Sequence, residues 1–575
     1  MMCVLVEELK RLKKSSQDAV DNEKEFTSFK KYMHVRRKVE EDLKETIAIA
    51  KESGKKSLIL VCGNVGDGKS HLISYLNNHE DRYLEGFIIH NDATESRSRT
   101  RNEREELAKV LNDFSDENID SHSETKVIVA INLGVLSNFI DSEEGTNFKR
   151  LAKYVEDKKI LIETDVNESD NTDDVFYHVN FGDYHIYRLI DGKVDSPYIS
   201  SIIDKVFSDI ECNEFYGAYR QCSFCGICAC CPVKTNYEMM SNPIIKTGVV
   251  NVILETIIKD KIILSTRDLL NFLYDIIVHP SFDSKRFEKL KGENKYTEFI
   301  KFSMPSILYD HDDVSSFMSH VKQYDFITQR TEIFDEIVTR FNTTENVKAL
   351  FEEYIEDNSC RKYVLNINDE YINKHREAML IFFSRLCKIA AKEGKLEIVN
   401  DEFKEFISDL YHSVKKEKSK AKNLYGMVKN CIYKWNGSSS DNELNLNTNH
   451  EDYIISTPLD IVTDLSRYDV VKSENEFERF PAYINVTYCS KKDTSNKATV
   501  SIDYDLYKML KKVEDGYRPS AKDNNYFAGF VSFINKLSVF SNSDEEITIK
   551  HYVSDEIKSY CLKQDEFGTY EFKEV

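Results

Sequence analysis

One stretch constrains this chain more than any other: SLILVCGNVGDGKSHLISYL, Ser57 to Leu76. An apolar run ends in a glycine-studded turn carrying a Lys-Ser pair, and an apolar helical pattern follows. The turn matches G-x-x-x-x-G-K-[ST] in full, from Gly63 to Ser70. Glycines let the backbone fold into a nest of N–H groups aimed at a β-phosphate. The helix starting near Lys69 adds its positive N-terminus. Lys69 is placed to reach β- and γ-phosphates, and Ser70 to offer a hydroxyl to Mg²⁺. The expected ATP-binding set is Gly63, Asn64, Val65, Gly66, Asp67, Gly68, Lys69 and Ser70, with His71 beside them.

A strand–loop–helix of this kind belongs in a parallel α/β sheet. Further strands are expected at GFIIHND (86–92), KVIVAINLG (126–134) and DVFYHVNFGDY (174–184), because continuous apolar runs bounded by Gly, Asn and Asp suit strands buried on both faces. Residues 1–53 read as Glu- and Lys-rich helices, and 54–285 as the P-loop core with a cysteine-rich insertion and a lid. Residues 286–435 read as a helical middle domain, 436–452 as a polar linker and 453–575 as a small C-terminal domain of α/β or α+β type. The class expected is therefore a P-loop NTPase core, AAA-like or of the signal-transduction (STAND-like) type, with a helical lid.

Hydrolysis needs an acid to hold the Mg²⁺ water and polarise the attacking one. KVIVAINLG is the best strand by pattern, but its polar residue is Asn132. Asp92, with Glu95 close behind, and Asp183 are the candidates, each placed where a parallel sheet presents its carboxyl ends. Arg267, in STRDLLNFLYDI at the head of a lid-like helix, is a candidate γ-phosphate sensor, although Thr266 and Asp268 equally suit a helix cap. Arg97, Arg99, Arg101 and Arg104 form either a solvated loop or a basic face for phosphate.

The formal charge, 78 − 99 = −21, repels nucleic acid over most of the surface. DNA contact would need basic partners or a local patch. The lysine-rich stretch 413–435 is the strongest such patch, its bland reading being a solvated helix face. No apolar run reaches membrane-spanning length, and the first residues read as an amphipathic helix of a cytoplasmic protein. In CSFCGICACCP, the spacing of Cys222, Cys225, Cys228 and Cys231 suits tetrahedral Zn²⁺ better than an iron–sulfur cluster, with free thiols as the plain alternative.

GNVGDGKSHL, HNDATES, AINLGVLSNF, CPVKTNYE, STRDLLNFLYDI and IDYDLYKML…GY, in that order, resemble the DptF (DndF) family. That family is the P-loop component of the DNA phosphorothioation-dependent restriction system. The resemblance runs from about residue 55 to the C-terminus. It implies a bacterial defence role: an ATP-binding subunit acting with DptG- and DptH-like partners to restrict DNA that lacks phosphorothioate. It also implies that Asp92 and Glu95 contribute to the nucleotide site. No nuclease centre is visible. The alternatives are a nucleotide-bound scaffold that barely hydrolyses ATP, and an AAA-like remodeller of proteins.

Overall fold

The computed structural model describes residues 3–21, 28–64, 66–78, 82–90, 103–121, 123–161, 175–311, 314–328, 331–396, 401–438, 443–446, 452–540, 546–553, 556–564 and 569–574. The chain divides into two compact units. The first holds residues 1–188, 195–398 and the isolated triplet 478–480; the second holds 189–194, 399–477 and 481–575.

The first unit is built on a four-stranded parallel sheet. β1 (Ser57–Gly63) and β3 (Lys126–Asn132) pair in full register, Ser57 opposite Lys126 and Gly63 opposite Asn132. β4 (Phe176–Asn180) lies on the other side of β1, and β2 (Ile88–His90) lies beyond β3, giving the order β2-β3-β1-β4. Every residue of β1 is buried, as its unbroken apolar run requires of a central parallel strand.

The period of two along β1 then decides which helices cover which face. Leu58, Leu60 and Cys62 join Val127, Val129, Ile131 and Phe176 against the helices α5 (Glu103–Val110), α6 (Leu133–Ile140) and α7 (Lys149–Asp157). Ile59 and Val61 join Ile128, Ala130, Tyr177 and Val179 against α3 (Lys38–Glu52) and α4 (Lys69–Asn77). α3 presents Val39, Leu43, Ile47 and Ala50 at helical spacing, so the segment before the loop motif is itself one layer of the sheet's cover. Each such aliphatic side chain contributes about 1.5–3 kcal/mol by leaving water.

The amphipathic reading of the chain start holds for α1 (Val4–Asp21): Leu5, Leu9 and Leu12 are buried, and the helix packs on α9 (Glu214–Arg220) and α12 (Thr266–Ile277). α2 (Ser28–Met33) leads from α1 towards α3. α8 (Pro197–Phe207), α10 (Pro232–Met240) and α11 (Pro243–Lys259) continue the helical part, which runs on through Ser284–Ala390. Among the described residues, no helix is long and apolar enough to cross a membrane.

The second unit carries antiparallel pairs. β5 (Arg188–Ile190), β6 (Lys193–Asp195) and β10 (Glu476–Phe477) form one small sheet, ordered β10-β5-β6. β9 (Ile461–Thr463), β11 (Ile484–Ser490) and β12 (Lys497–Ile502) form another. The largest is five-stranded, ordered β15-β14-β13-β8-β7, from Glu443–Asn445 (β7), Tyr453–Pro458 (β8), Glu546–Val553 (β13), Glu556–Gln564 (β14) and Tyr570–Glu574 (β15). The strand pairs described in this unit run antiparallel, which makes the C-terminal part α+β in type, one of the two forms expected. The helices Asp401–Val414 and Lys418–Trp435 belong to this unit. The polar stretch 436–452 is not wholly irregular, because Glu443–Asn445 is paired in register with Ser456–Pro458.

Candidate functional site

β1 ends at Gly63, and the loop beyond it is shaped by close approaches. A Cβ on Gly63 would stand 2.8 Å from Asp67 Oδ2 and 2.9 Å from Phe181 Cβ. Gly66 and Gly68 hold φ of +91° and +95°, which β-carbon-bearing residues rarely adopt. Gly68 caps α4, whose first turn begins with Lys69 and Ser70. The first N–H groups of a helix have no partner within it and face whatever lies before them.

The loop already engages an anionic oxygen. The Asn64 N–H donates to Asp67 Oδ2 at 2.6 Å, and Lys69 Nζ donates to the Asn64 carbonyl at 2.5 Å. Burial raises the Asp67 carboxyl, against the pull of that N–H and of the Lys69 and Arg37 charges. One backbone N–H thus holds the Asp67 carboxylate, while Lys69 reaches back over the loop to the Asn64 carbonyl and its charge acts on Asp67. Val65 lies outside the described residues.

The residue just after the motif turns elsewhere. His71 Nε2 lies 3.1 Å from His34 Nδ1, and His34 Nε2 lies 3.0 Å from Glu40 Oε2, which also accepts from Lys44 at 2.6 Å through its other oxygen. Burial brings the His71 imidazole down to about 4, with the His34 and Lys30 charges adding to the effect. Burial alone would raise Glu40, but its hydrogen bonds from His34 and Lys44 hold it below the usual carboxylate range. The row His71–His34–Glu40–Lys44 fastens α4 to α3.

On either side of β1 the neighbouring strands end alike. β3 ends in Asn132-Leu-Gly134 and β4 in Asn180-Phe-Gly182, and each asparagine Oδ1 accepts the N–H two residues on, at 2.9 Å and 3.1 Å. Asn132 stands opposite Gly63, and Asn180 opposite Cys62. Two side-chain amides therefore flank the start of the loop where an acid was sought. The repeated N-x-G at strand ends was the available sequence signal for this pairing of turns.

Asp183 follows directly. Its Oδ1 accepts from Asn180 Nδ2 at 3.1 Å, and its Oδ2 lies 3.4 Å from Arg479 Nη2. Burial raises its carboxyl, opposed by Arg479 and by the Asn180 amide. The Cys62 thiol, pushed up to about 12 chiefly by burial, senses both Lys69 and Asp183, so the two charges flank the end of β1. Asp92 and Glu95 lie outside the described residues, as do Arg97, Arg99 and Arg101; Arg104 is exposed at the start of α5.

The head of α12 also meets the loop. A Cβ on Gly66 would stand 2.9 Å from Ser265 Cβ. Ser265 is the N-cap: its Oγ accepts the Asp268 N–H at 3.1 Å and donates to Asp268 Oδ2 at 2.7 Å. The cap is therefore Ser265 and neither Thr266 nor Asp268: Asp268 supports it by accepting from the Ser265 hydroxyl, and Thr266 pairs with Tyr198, hydroxyl to hydroxyl at 2.7 Å. Arg267, one residue into this helix, is half-buried. Arg37, not anticipated from sequence, lies over the Phe181 and Tyr198 rings and donates to the Tyr184 carbonyl at 3.3 Å.

The structure thus brings together Gly63, Asn64, Gly66, Asp67, Gly68, Lys69, Ser70, Asp183 and the head of α12. The cysteine run forms a separate feature. Successive backbone turns link Cys225 to Cys222 and Cys228 to Cys225, as small residues at Ser223 and Gly226 allow. Burial pushes the Cys222 and Cys231 thiols up to about 12, with the nearby Cys3 adding to each. Among the described residues, no group of three or more His, Cys, Asp or Glu side chains stands close enough to hold a metal ion. In the lysine-rich stretch 413–435, Lys415, Lys418 and Lys434 are engaged with Asn475, Asp469 and the Glu514 carbonyl. Lys420 and Lys422 are exposed on the same helix.

No family model, no curated protein and no solved structure matches the chain.

Proposed function

We propose that the Gly63–Ser70 loop binds ATP with Mg²⁺ and that the chain works as a nucleotide-dependent switch rather than a fast hydrolase. The observation that carries this reading is the loop's engagement of Asp67. The Asn64 N–H holds the Asp67 carboxylate and Lys69 folds back to the Asn64 carbonyl, in a loop set between a fully buried parallel strand and the helix that Lys69 begins. Ser70 would hold Mg²⁺, which when bound neutralises charge on the β- and γ-phosphates. Lys69 and the first turn of α4 would orient the phosphates, and Gly66 against Ser265 would bring the bound nucleotide to the head of the lid-like α12.

The switch reading is favoured because β3 and β4 both end in asparagine and because Asp183 is engaged by Asn180 and Arg479. Following the DptF resemblance, the switch would control assembly with DptG- and DptH-like partners in a complex that restricts DNA lacking phosphorothioate. DNA would be met through those partners or through exposed lysines such as Lys420 and Lys422. Turnover measured with and without DNA and partners tests this. Turnover that rises only with both supports the restriction switch; a rate indifferent to both favours a protein remodeller; nucleotide bound without turnover favours the scaffold.

Zinc at Cys222, Cys225, Cys228 and Cys231 is a separate proposal carried by spacing alone. Stoichiometric zinc in protein purified without added metal would support it, and absence of zinc and iron would remove it.

A further inference from the structure

Glu478, Arg479 and Phe480 belong to the unit that holds the Gly63–Ser70 loop, although Phe477 and Pro481 on either side belong to the other. The triplet is strapped to the segment after β4. The His185 N–H donates to the Glu478 carbonyl at 3.1 Å, and His185 Nε2 donates to the Phe480 carbonyl at 2.7 Å. A carbonyl only accepts, so the ring proton sits on Nε2. The rings of His185 and Tyr187 pack on Phe480, with centroids 4.5 Å and 5.8 Å away.

Between these two anchors, Arg479 lies 5.0 Å over the Tyr184 ring and reaches Asp183. Its hold there is incomplete. The 3.4 Å separation from Asp183 Oδ2 is longer than the roughly 2.8 Å of a good charge-assisted bond. Its Nε is buried with no hydrogen-bond partner among the described residues. A guanidinium carries five donors in a fork that fits phosphate oxygens two at a time. Phe181, two residues before Asp183, is the side chain that a Gly63 Cβ would strike, and Asp183 acts with Lys69 on the Cys62 thiol, so the turn that carries Asp183 abuts the start of the loop.

We propose that Arg479 is the residue by which this chain tells a nucleoside triphosphate from a diphosphate, exchanging Asp183 for the γ-phosphate when a triphosphate is bound. The proposal rests on the nucleotide reading of the loop. Asp183 is then the resting partner of a sensing arginine, and the strap moves with nucleotide state at a point where the chain enters the nucleotide unit and leaves it again.

The test titrates the full chain with ADP and with a non-hydrolysable ATP analogue, both with Mg²⁺. The expected result is a preference for the triphosphate that Arg479→Ala lowers by about fivefold or more, with ADP affinity changed less than about twofold. Arg479→Lys, which keeps charge but not the fork, should restore part of it. An Arg479→Ala protein that keeps the wild-type preference overturns the proposal. So does one that loses both affinities equally, as a merely structural role would give, or loss of the preference in Arg267→Ala alone. A wild-type readout guards against misfolded variants: exchange of the His185 amide should differ between the ADP and triphosphate states, and identical exchange overturns the proposal. Wild-type protein that binds neither nucleotide instead removes the nucleotide reading itself.

Discussion

Gly66 and Ser265 touch. The backbone of the candidate phosphate loop passes so near the cap of α12 that a β-carbon on Gly66 would lie 2.9 Å from Ser265 Cβ. These residues are 199 positions apart in the chain, and their contact joins the loop to the helix carrying Arg267.

Gly66→Ala should therefore fail twice, by collision and by backbone strain at φ +91°. Strain of this kind costs about 1–3 kcal/mol. Melting temperature and ATP-analogue affinity should both fall. Gly217→Ala is the control, since nothing lies within 4 Å of a β-carbon there.

Ser265→Ala removes the cap of α12 and should cost about 1 kcal/mol. Faster exchange of the Asp268 amide, which Ser265 Oγ now accepts, would locate the loss. Unchanged exchange would show that the cap does not hold that turn.

Acid should loosen the first unit. His71 is held neutral in the fold, down to about 4, whereas the unfolded chain takes up a proton near the ordinary 6.5. Its penalty is absent above pH 6.5 and grows as pH falls towards 4. Glu40 has the opposite chemistry and the same direction: held below the usual carboxylate range, it contributes above its unfolded value and loses that contribution as pH falls through the folded one. Melting temperature should drop below pH 6.5, and His71→Asn should flatten the upper part of that drop. A curve as steep in the variant as in the wild type would place the acid sensitivity elsewhere.

Thiol labelling should separate the cysteines by burial. Cys212 and Cys225 are exposed and should react in the native protein, whereas Cys62, Cys360, Cys387 and Cys431 should react only after unfolding. Protection of Cys225 that a chelator lifts would be the mark of bound metal.

What could be read in the sequence was local. β1 runs over the residues its apolar run marks, and the loop and the start of α4 follow from the spacing of Gly63, Gly68 and Lys69. β3 stops two residues early because Asn132 caps α6 and draws Leu133 into the helix. β7 was hidden because Glu443-Leu-Asn445 carries one apolar residue and owes its strand form to β8. Arg479 was hidden for a stronger reason. Its partner Asp183 lies 296 positions away, and no local pattern encodes that meeting. Arg37 is similar, since its aromatic neighbours come from Phe181 and Tyr198.

The central claim is that the Gly63–Ser70 loop binds ATP. The most direct measurement is calorimetric titration of Mg-ATP into the full chain and into Lys69→Ala. Saturable binding of one nucleotide per chain is expected for the wild type, weakened about tenfold or more in the variant, a loss of at least about 1.4 kcal/mol, in a variant that still unfolds cooperatively. No binding by the wild type, or equal binding by a folded Lys69→Ala protein, would contradict it.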